Sequence, residues 1–521
     1  MDFLLSHLLI AVFAGILGLV FLYLRRAKTS QKIKVTLGQP PPEFPGALPI
    51  IGHLHKLSAQ IPIFRTMADI ADKYGPIFLF RLGMNPVLVI SNYEAVKECF
   101  TTNDITFASR PRSTHGTHLG YDFAAFGFAP YGPYWRTMRK LVMIELLSNR
   151  RLETLRHVQV SEVETLVNGL YGQCKKNGFG PTEVVISEWI EHFTLNIITE
   201  MIAGKRYFDS SGKVVGGEAE RIGKVIKEYM CISGAFIVSD LIPVPKWVDF
   251  NGNLKAMKRI GREIDVLIQS WVEEHKRSEA SDKQDFIDIM LSLIEENHEL
   301  GYARDTIIKG TVSTLIIAGS DTTAINLTWI LALLLNNRRA LNRAQEELDL
   351  IVGKERWVEG SDIKNLVYLQ AIVKETLRLY PPGPLAVPHQ AREDCTVCGF
   401  HVRKGTRLFV NLWKLHRDPN TWPDPEAFSP ERFLTSHAGI DVLGQHFELI
   451  PFGSGRRSCP GMAFALQVTH LALARLLQGF VFATKLDEPV DMSEGLGITL
   501  PRATPVEAVL TPRLPAELYQ H

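Results

Sequence analysis

One cysteine of this chain sits among neighbours that suit it for chemistry. Phe452-Gly453-Ser454-Gly455-Arg456-Arg457-Ser458-Cys459-Pro460-Gly461 places Cys459 in a glycine-rich turn, behind two arginines and ahead of an apolar run from Met462. Glycines, lacking a Cβ, let a backbone pass close to a flat ligand. Pro460 suits the first position of a helix, where its missing N–H costs nothing. Cys459 then lies at the positive end of that helix, which favours thiolate over thiol. A thiolate so held can ligate a haem iron and promote cleavage of dioxygen. Free cysteine is also among the most buried residue types, so for Cys459 taken alone a structural role stands beside the ligand role.

Three further constellations carry chemistry or support it. Ala318-Gly319-Ser320-Asp321-Thr322-Thr323 interrupts an otherwise apolar helical pattern running from Asp305 to Asn337. Glycine and β-branched threonine are poor helix formers, and their hydroxyls can bond back to the i−4 carbonyl and open the ladder, so a kinked stretch is expected there. A hydroxyl beside a carboxylate can relay protons into a mostly dry site. Glu375 and Arg378 share a face of the helix expected at Leu366–Leu379, with Asn365 as its cap. Trp135 and Arg139 share a face by i,i+4 spacing.

The spacing Phe452, Gly455, Arg457, Cys459, Gly461 resembles the haem-binding loop of the cytochromes P-450. Ala318–Thr323 resembles the oxygen-binding motif of the same family, and Glu375 and Arg378 with the later Pro430-Glu431-Arg432-Phe433 resemble its paired Glu/Arg motifs. The resemblance implies haem b with Cys459 as the thiolate ligand of its iron. It implies a hydrogen bond from Thr322 to dioxygen, proton delivery by Asp321, and a buried network of Glu375, Arg378 and Arg432. Trp135, Arg139, His389 and Arg457 then reach the haem propionates, and Phe452 flanks the cofactor. Ala318–Trp329 (AGSDTTAINLTW), Trp413–Asp418 (WKLHRD) and Gly444–Arg457 (GQHFELIPFGSGRR) resemble plant microsomal enzymes of the clan numbered 71, in particular the family numbered 82. Members of that group oxidise flavonoids, terpenoids, alkaloids and lignans. The implied reaction is hydroxylation of an apolar metabolite with dioxygen and NADPH. By the same position, the loop Ser113–Ala129 with Tyr121, Phe123, Phe126 and Phe128, the stretch Leu385–Val387 and the turn Gly495–Thr499 line the substrate pocket.

These residues need a large scaffold, and 521 residues at 46% hydrophobic provide one. Helix-period patterns dominate from Tyr93 to Tyr380, after an amphipathic helix at Ile61–Tyr74 and a hairpin of Ile77–Leu82 and Val87–Ile90. Short strands return around Thr396–Val402 and Arg407–Asn411, and an apolar helix covers Ala463–Leu477. The expected class is mainly α with a minor β-sheet: a cytochrome P-450 fold behind an N-terminal transmembrane helix. Phe3–Leu24 carries no charge and is long enough to span roughly 30 Å of hydrocarbon. Arg25, Arg26, Lys28, Lys32 and Lys34 follow it, so the chain beyond belongs in the cytosol. No small-residue cleavage site follows the run, which marks an anchor rather than a signal peptide. The expected organisation is an anchor at 1–24, a basic linker at 25–39, a proline-rich hinge at 40–52 and a haem-thiolate catalytic domain at 53–521. The resemblance implies the endoplasmic reticulum membrane, crossed once.

No dinucleotide-binding G-x-G-x-x-G unit is recognisable, so electrons must come from a partner. The resemblance implies an NADPH–cytochrome reductase, with Arg136, Lys140 and Arg456 as candidate docking charges. A net charge of +1 points to no nucleic-acid partner. Six scattered cysteines fit a reducing compartment, and Cys395-x-x-Cys398 reads as a hairpin rather than half a zinc site. Three other classes compete: a haem-thiolate isomerase of hydroperoxides needing no reductase, a non-catalytic haem-binding protein, and a membrane-tethered structural protein. Asp321-Thr322 argues against the first, which needs no acid–alcohol pair.

Overall fold

The computed structural model describes residues 38–58, 60–212, 219–245, 247–277, 284–296 and 298–519. The expected anchor and most of the basic linker lie outside them. The chain forms two compact units.

The first unit takes Met1–Pro111, Phe236–Val248 and Pro388–Asn411. Its helix α1 (Ile63–Tyr74) starts after Pro62 and buries Phe64, Met67, Ala68, Ile70 and Ala71, the apolar stripe of a 3.6-residue period. The expected hairpin is present, with strands Ile77–Leu82 and Asn85–Ile90. Alternate residues Phe78, Phe80 and Leu82 point into the core. Arg407–Val410 adds in parallel and His389–Gln390 closes the four-stranded sheet. Helix α2 (Tyr93–Phe100) lies in the same unit. Cys395–Val397 and Phe400–Val402 pair antiparallel around Cys398 and Gly399, both at positive φ, so the C-x-x-C is indeed a hairpin turn. Burial and neighbouring acids push the Cys395 and Cys398 thiols up to about 11, away from metal-binding thiolate.

The second unit takes Arg112–Ala235, Asp249–Val387 and Leu412–His521. Its main helices are α3 (Pro133–Glu145), α4 (Arg156–Lys176), α5 (Ile186–Ala203), α6 (Ala219–Ser233), α7 (Asn253–Arg277), α8 (Arg304–Asn336), α9 (Arg338–Ile351), α10 (Val367–Leu379) and α11 (Met462–Gly479). A three-stranded antiparallel sheet, Thr182–Val185, Glu507–Pro512 and Phe480–Ala483, sits with them. The class is mainly α with minor β, as expected.

Helix α8 is the axis of this unit, packing against α5, α6, α7, α9, α10 and α11. By length and composition it could cross a membrane, yet 78% of its most apolar window is buried in protein, which makes it a core helix. The stretch Ala318–Thr323 lies within one continuous helix, Arg304–Asn336. Its hydroxyls do bond backward, Ser320 Oγ to Ile316 O at 2.8 Å and Thr322 Oγ1 to Ala318 O at 2.6 Å, within that helix.

Helix α10 begins one residue later than expected, and Asn365 does not cap it. Asn365 ends a short 3₁₀ turn instead. The free N–H groups of Tyr368 and Leu369 donate to the two carboxylate oxygens of Glu347, from α9, at 2.7 and 3.0 Å. The cap is tertiary: a carboxylate from the preceding helix does the work usually given to a local side chain.

Candidate active site

The loop around Cys459 is closed on itself. The Cys459 N–H donates to Phe452 O at 2.8 Å, and Gly453 N–H to Ile450 O at 2.8 Å. Gly453 and Gly455 have φ of 69° and 66°, in the left-handed region where a side chain is strained. Ser454 is buried and its hydroxyl holds Gly444 O at 2.6 Å. Cys459 itself is partly exposed.

The expected role of Pro460 does not hold. Helix α11 starts at Met462 with Gly461 as its cap, so Pro460 lies outside it. The reason is the loop closure: the Cys459 N–H is spent on Phe452 O, and the chain needs Pro460 and Gly461 to turn into the helix. The field of the helix end therefore acts on Cys459 at greater range than expected. Burial pushes the thiol up, and the Gly461 N–H and the Arg139 charge pull it down.

Cations gather around the loop. Arg139 of α3 donates to Ser458 O at 2.8 Å, and burial lowers its pKa. No carboxylate pairs with Arg139 among the described residues. Arg457 donates to Phe126 O at 3.4 Å and to Ala129 O. Both guanidiniums lie over the buried Trp135 ring, Arg457 at 4.2 Å and Arg139 at 5.6 Å from its centroid. The i,i+4 pairing of Trp135 with Arg139 is thus realised. His389 lies in the other unit, buried, with Nδ1 2.8 Å from Phe107 O and its ring edge-on to Phe100.

On α8, Ala318 is exposed although Ile316, Ile317 and Ser320 around it are buried. Gly319 serves the packing of α8 against α5. A Cβ there would stand 2.9 Å from Ile198 Cδ1, so its hydrogen is what lets α5 approach α8. Asp321 is largely buried, and desolvation pushes its pKa up to about 6. Its Oδ2 accepts from Thr499 Oγ1 at 3.2 Å, not from Thr322. Consecutive helix residues point about 100° apart, so Asp321 and Thr322 address different neighbours.

The expected ion network is present. Glu375 accepts from Arg378 Nε at 2.7 Å and Nη2 at 2.8 Å, from Arg432 Nε at 3.1 Å and from Ser429 N at 2.9 Å. Arg378 spends Nη1 on His416 O and Pro425 O. The side chains of Glu375 and Arg378 have no exposed area. His416 of the WKLHRD stretch was not singled out by spacing. It is fully buried, accepts from Ile450 N at 3.1 Å, and so connects the network to the segment entering the Cys459 loop.

The expected aromatic wall is partly self-occupied. Phe126 is buried, and Phe123 packs so close to Gly116 that a Cβ there would lie 2.2 Å from its ring. Tyr121 turns toward Asp265 and lies under Lys309, 5.9 Å from its ring centroid. Ala386 holds φ of 53°, an unusual conformation for a residue with a Cβ. Arg136, Lys140 and Arg456 are exposed, and the first and last both lie 6.0 Å from the Tyr131 ring.

A cysteine on a closed glycine turn, with a half-buried arginine that has no carboxylate beside it, fits a flat dianionic group with a metal at its centre. The comparisons agree. The cytochrome P450 family model matches residues 41–506. The chain is 54% identical to cytochrome P450 CYP82J17 of Trigonella foenum-graecum over all of both chains. It is 49% identical to vinorine hydroxylase of Rauvolfia serpentina over 99% of each chain. It is likewise 49% identical to nicotine N-demethylase CYP82E4 of Nicotiana tomentosiformis over 98% of this chain and 99% of that one. A zebra fish cytochrome P450 solved with progesterone superposes with a TM-score of 0.73 at 27% identity, covering 87% of this chain and all of that one.

Proposed function

This chain belongs to the cytochrome P450 family, as a haem-thiolate monooxygenase, and on that premise we propose that it hydroxylates an apolar plant specialised metabolite at a cytosolic membrane face. The overall change is RH + O2 + NADPH + H⁺ → ROH + H2O + NADP⁺. A flavonoid or terpenoid is the proposed substrate class, with an alkaloid or lignan next. Relatives named for a hydroxylation and for an N-demethylation support oxidation at a carbon–hydrogen bond.

Bound haem supplies activation of dioxygen by its iron. Cys459 would hold the haem iron through its thiolate; the closed turn that fixes its backbone is the observation that carries the reading. Arg139, Arg457 and Trp135 would hold the haem propionates, with His389 as a further partner. Phe452 is assigned to the cofactor's edge. Asp321 takes protons from outside the site and Thr322 holds them at its hydroxyl. A carboxyl with pKa near 6 gains and loses a proton readily near neutrality, which supports that role. Residues 3–24 anchor the chain in the endoplasmic reticulum membrane, and a separate NADPH–cytochrome reductase docks on Arg136, Lys140 and Arg456.

Two measurements test this. The reduced, carbon-monoxide-treated protein should show a thiolate-type Soret band, which Cys459→Ala should abolish; its survival would remove Cys459 from the iron. Membranes holding this chain and the reductase, given pooled plant metabolites, should form a product heavier by one oxygen only with NADPH. An intact spectrum with no such product across the pool would favour the non-catalytic reading.

A further inference from the structure

The turn Gly495–Thr499 reaches α8 at a second point besides Asp321. Leu500 O accepts from Trp329 Nε1 at 2.8 Å, and Trp329 is fully buried and stacks on Tyr380 at 3.8 Å. Leu500 N–H is held by Pro382 O at 3.0 Å, and Gly495 N–H by Pro501 O at 2.8 Å. A Cβ on Gly234, just past α6, would stand 2.6 Å from Ile498 N, so the turn is also braced from that side. Thr499 is therefore not a loose surface hydroxyl; it is 8% exposed and its Oγ1 is fixed at 3.2 Å from Asp321 Oδ2.

We infer that Thr499 is a positioning residue for Asp321: its hydroxyl, held by the braced turn, fixes the direction of the carboxyl and favours its ionised form. This rests on the reading of Asp321 as the proton-carrying group. Two other charges face Asp321, Glu191 from α5 and Lys227 from α6, and they are paired with each other at 2.7 Å. Their fields oppose at Asp321, which leaves the Thr499 hydrogen bond as the favourable contact set against burial. The turn that carries Thr499 is also the one expected to line the substrate pocket.

The test uses the full-length haem-loaded chain in membranes with reductase, as parent, Thr499→Val, Thr499→Ser and Asp321→Asn. The carboxyl stretch that Asp321→Asn removes is followed by difference infrared spectroscopy against pH. The parent midpoint should lie at about 6. Thr499→Val keeps the shape and deletes the donor, so its midpoint should rise by about one unit, and Thr499→Ser should restore it. The pH profile of peroxide released per NADPH should move with the midpoint. An unchanged midpoint in Thr499→Val, or a serine variant that behaves like valine, overturns the inference. The underlying reading fails separately: if Asp321→Asn leaves the peroxide fraction at the parent level, Asp321 carries no protons whatever Thr499 does to its titration.

Discussion

Glu375 is the residue whose loss the structure prices most directly. In Glu375→Ala, Arg378 loses two charge-assisted hydrogen bonds, and Arg432 and the Ser429 N–H lose one each. Arg378 keeps its carbonyl partners, so the guanidinium stays in place, but its charge and that of Arg432 are left facing each other with side chains 0% and 7% exposed. Removing one partner of a buried pair costs about 3–5 kcal/mol. That is on the order of a hundred- to several-thousand-fold in the folding equilibrium. Arg432→Met removes a weaker contact and leaves Glu375 neutralised by Arg378, so it should cost only about 1–2 kcal/mol. In the double variant a single cation remains, and the combined loss should fall short of the sum by about 1–2 kcal/mol. The assay is the ratio of haem pigment to total chain in membranes, with the temperature at which pigment is lost. Glu375→Ala at parent level, or strict additivity of the two changes, would refute the account of a mutually neutralised cluster.

Three other outcomes follow from the same geometry. Thr322→Ala removes a hydroxyl whose partner is the Ala318 carbonyl of its own helix, so stability should change by less than about 0.5 kcal/mol, while NADPH is diverted to peroxide; unchanged coupling would remove Thr322 from proton handling. Asp321 has a folded pKa raised by burial from 3.8 to about 6, so the native state binds the extra proton between those values and stability falls as pH rises through that window. Asp321→Asn should therefore stabilise the fold at pH 7.5 by at most about 3 kcal/mol, read as a higher thermal midpoint, and barely at pH 4; equal shifts at both would contradict it. At Gly444, φ is 84° and a Cβ would stand 2.8 Å from Gly453 O, so Gly444→Ala should cost roughly 1–3 kcal/mol and loosen haem retention. Gly439→Ala, with open space at that position, is the control and should change little.

The places where sequence reasoning met the fold, and where it missed, separate by range. The hairpin at Ile77–Ile90, the turn at Cys398-Gly399 and the stripe of α1 were legible because alternation, turn residues and a 3.6-residue period are local. The Glu375–Arg378 pair was legible as a spacing. What could not be read was which groups arrive from far along the chain. Asn365 looked like the cap of α10, and Glu347 takes that place. Pro460 looked like a helix start, but loop closure through Phe452 O moved that start to Met462. The residue that bonds Asp321 is Thr499, 178 residues further along the chain.

By itself the sequence determined the chemistry available: one cysteine in a glycine turn, an acid–alcohol pair in an apolar helix, and paired Glu and Arg motifs. Residue type and short spacing set those, because reactivity belongs to side chains and short spacings survive folding as shared faces. Only the tertiary structure decided how strongly each group holds its proton and what holds the group. Burial is a property of the packed neighbourhood, and the hydrogen bonds that answer it come from segments that sequence distance does not connect.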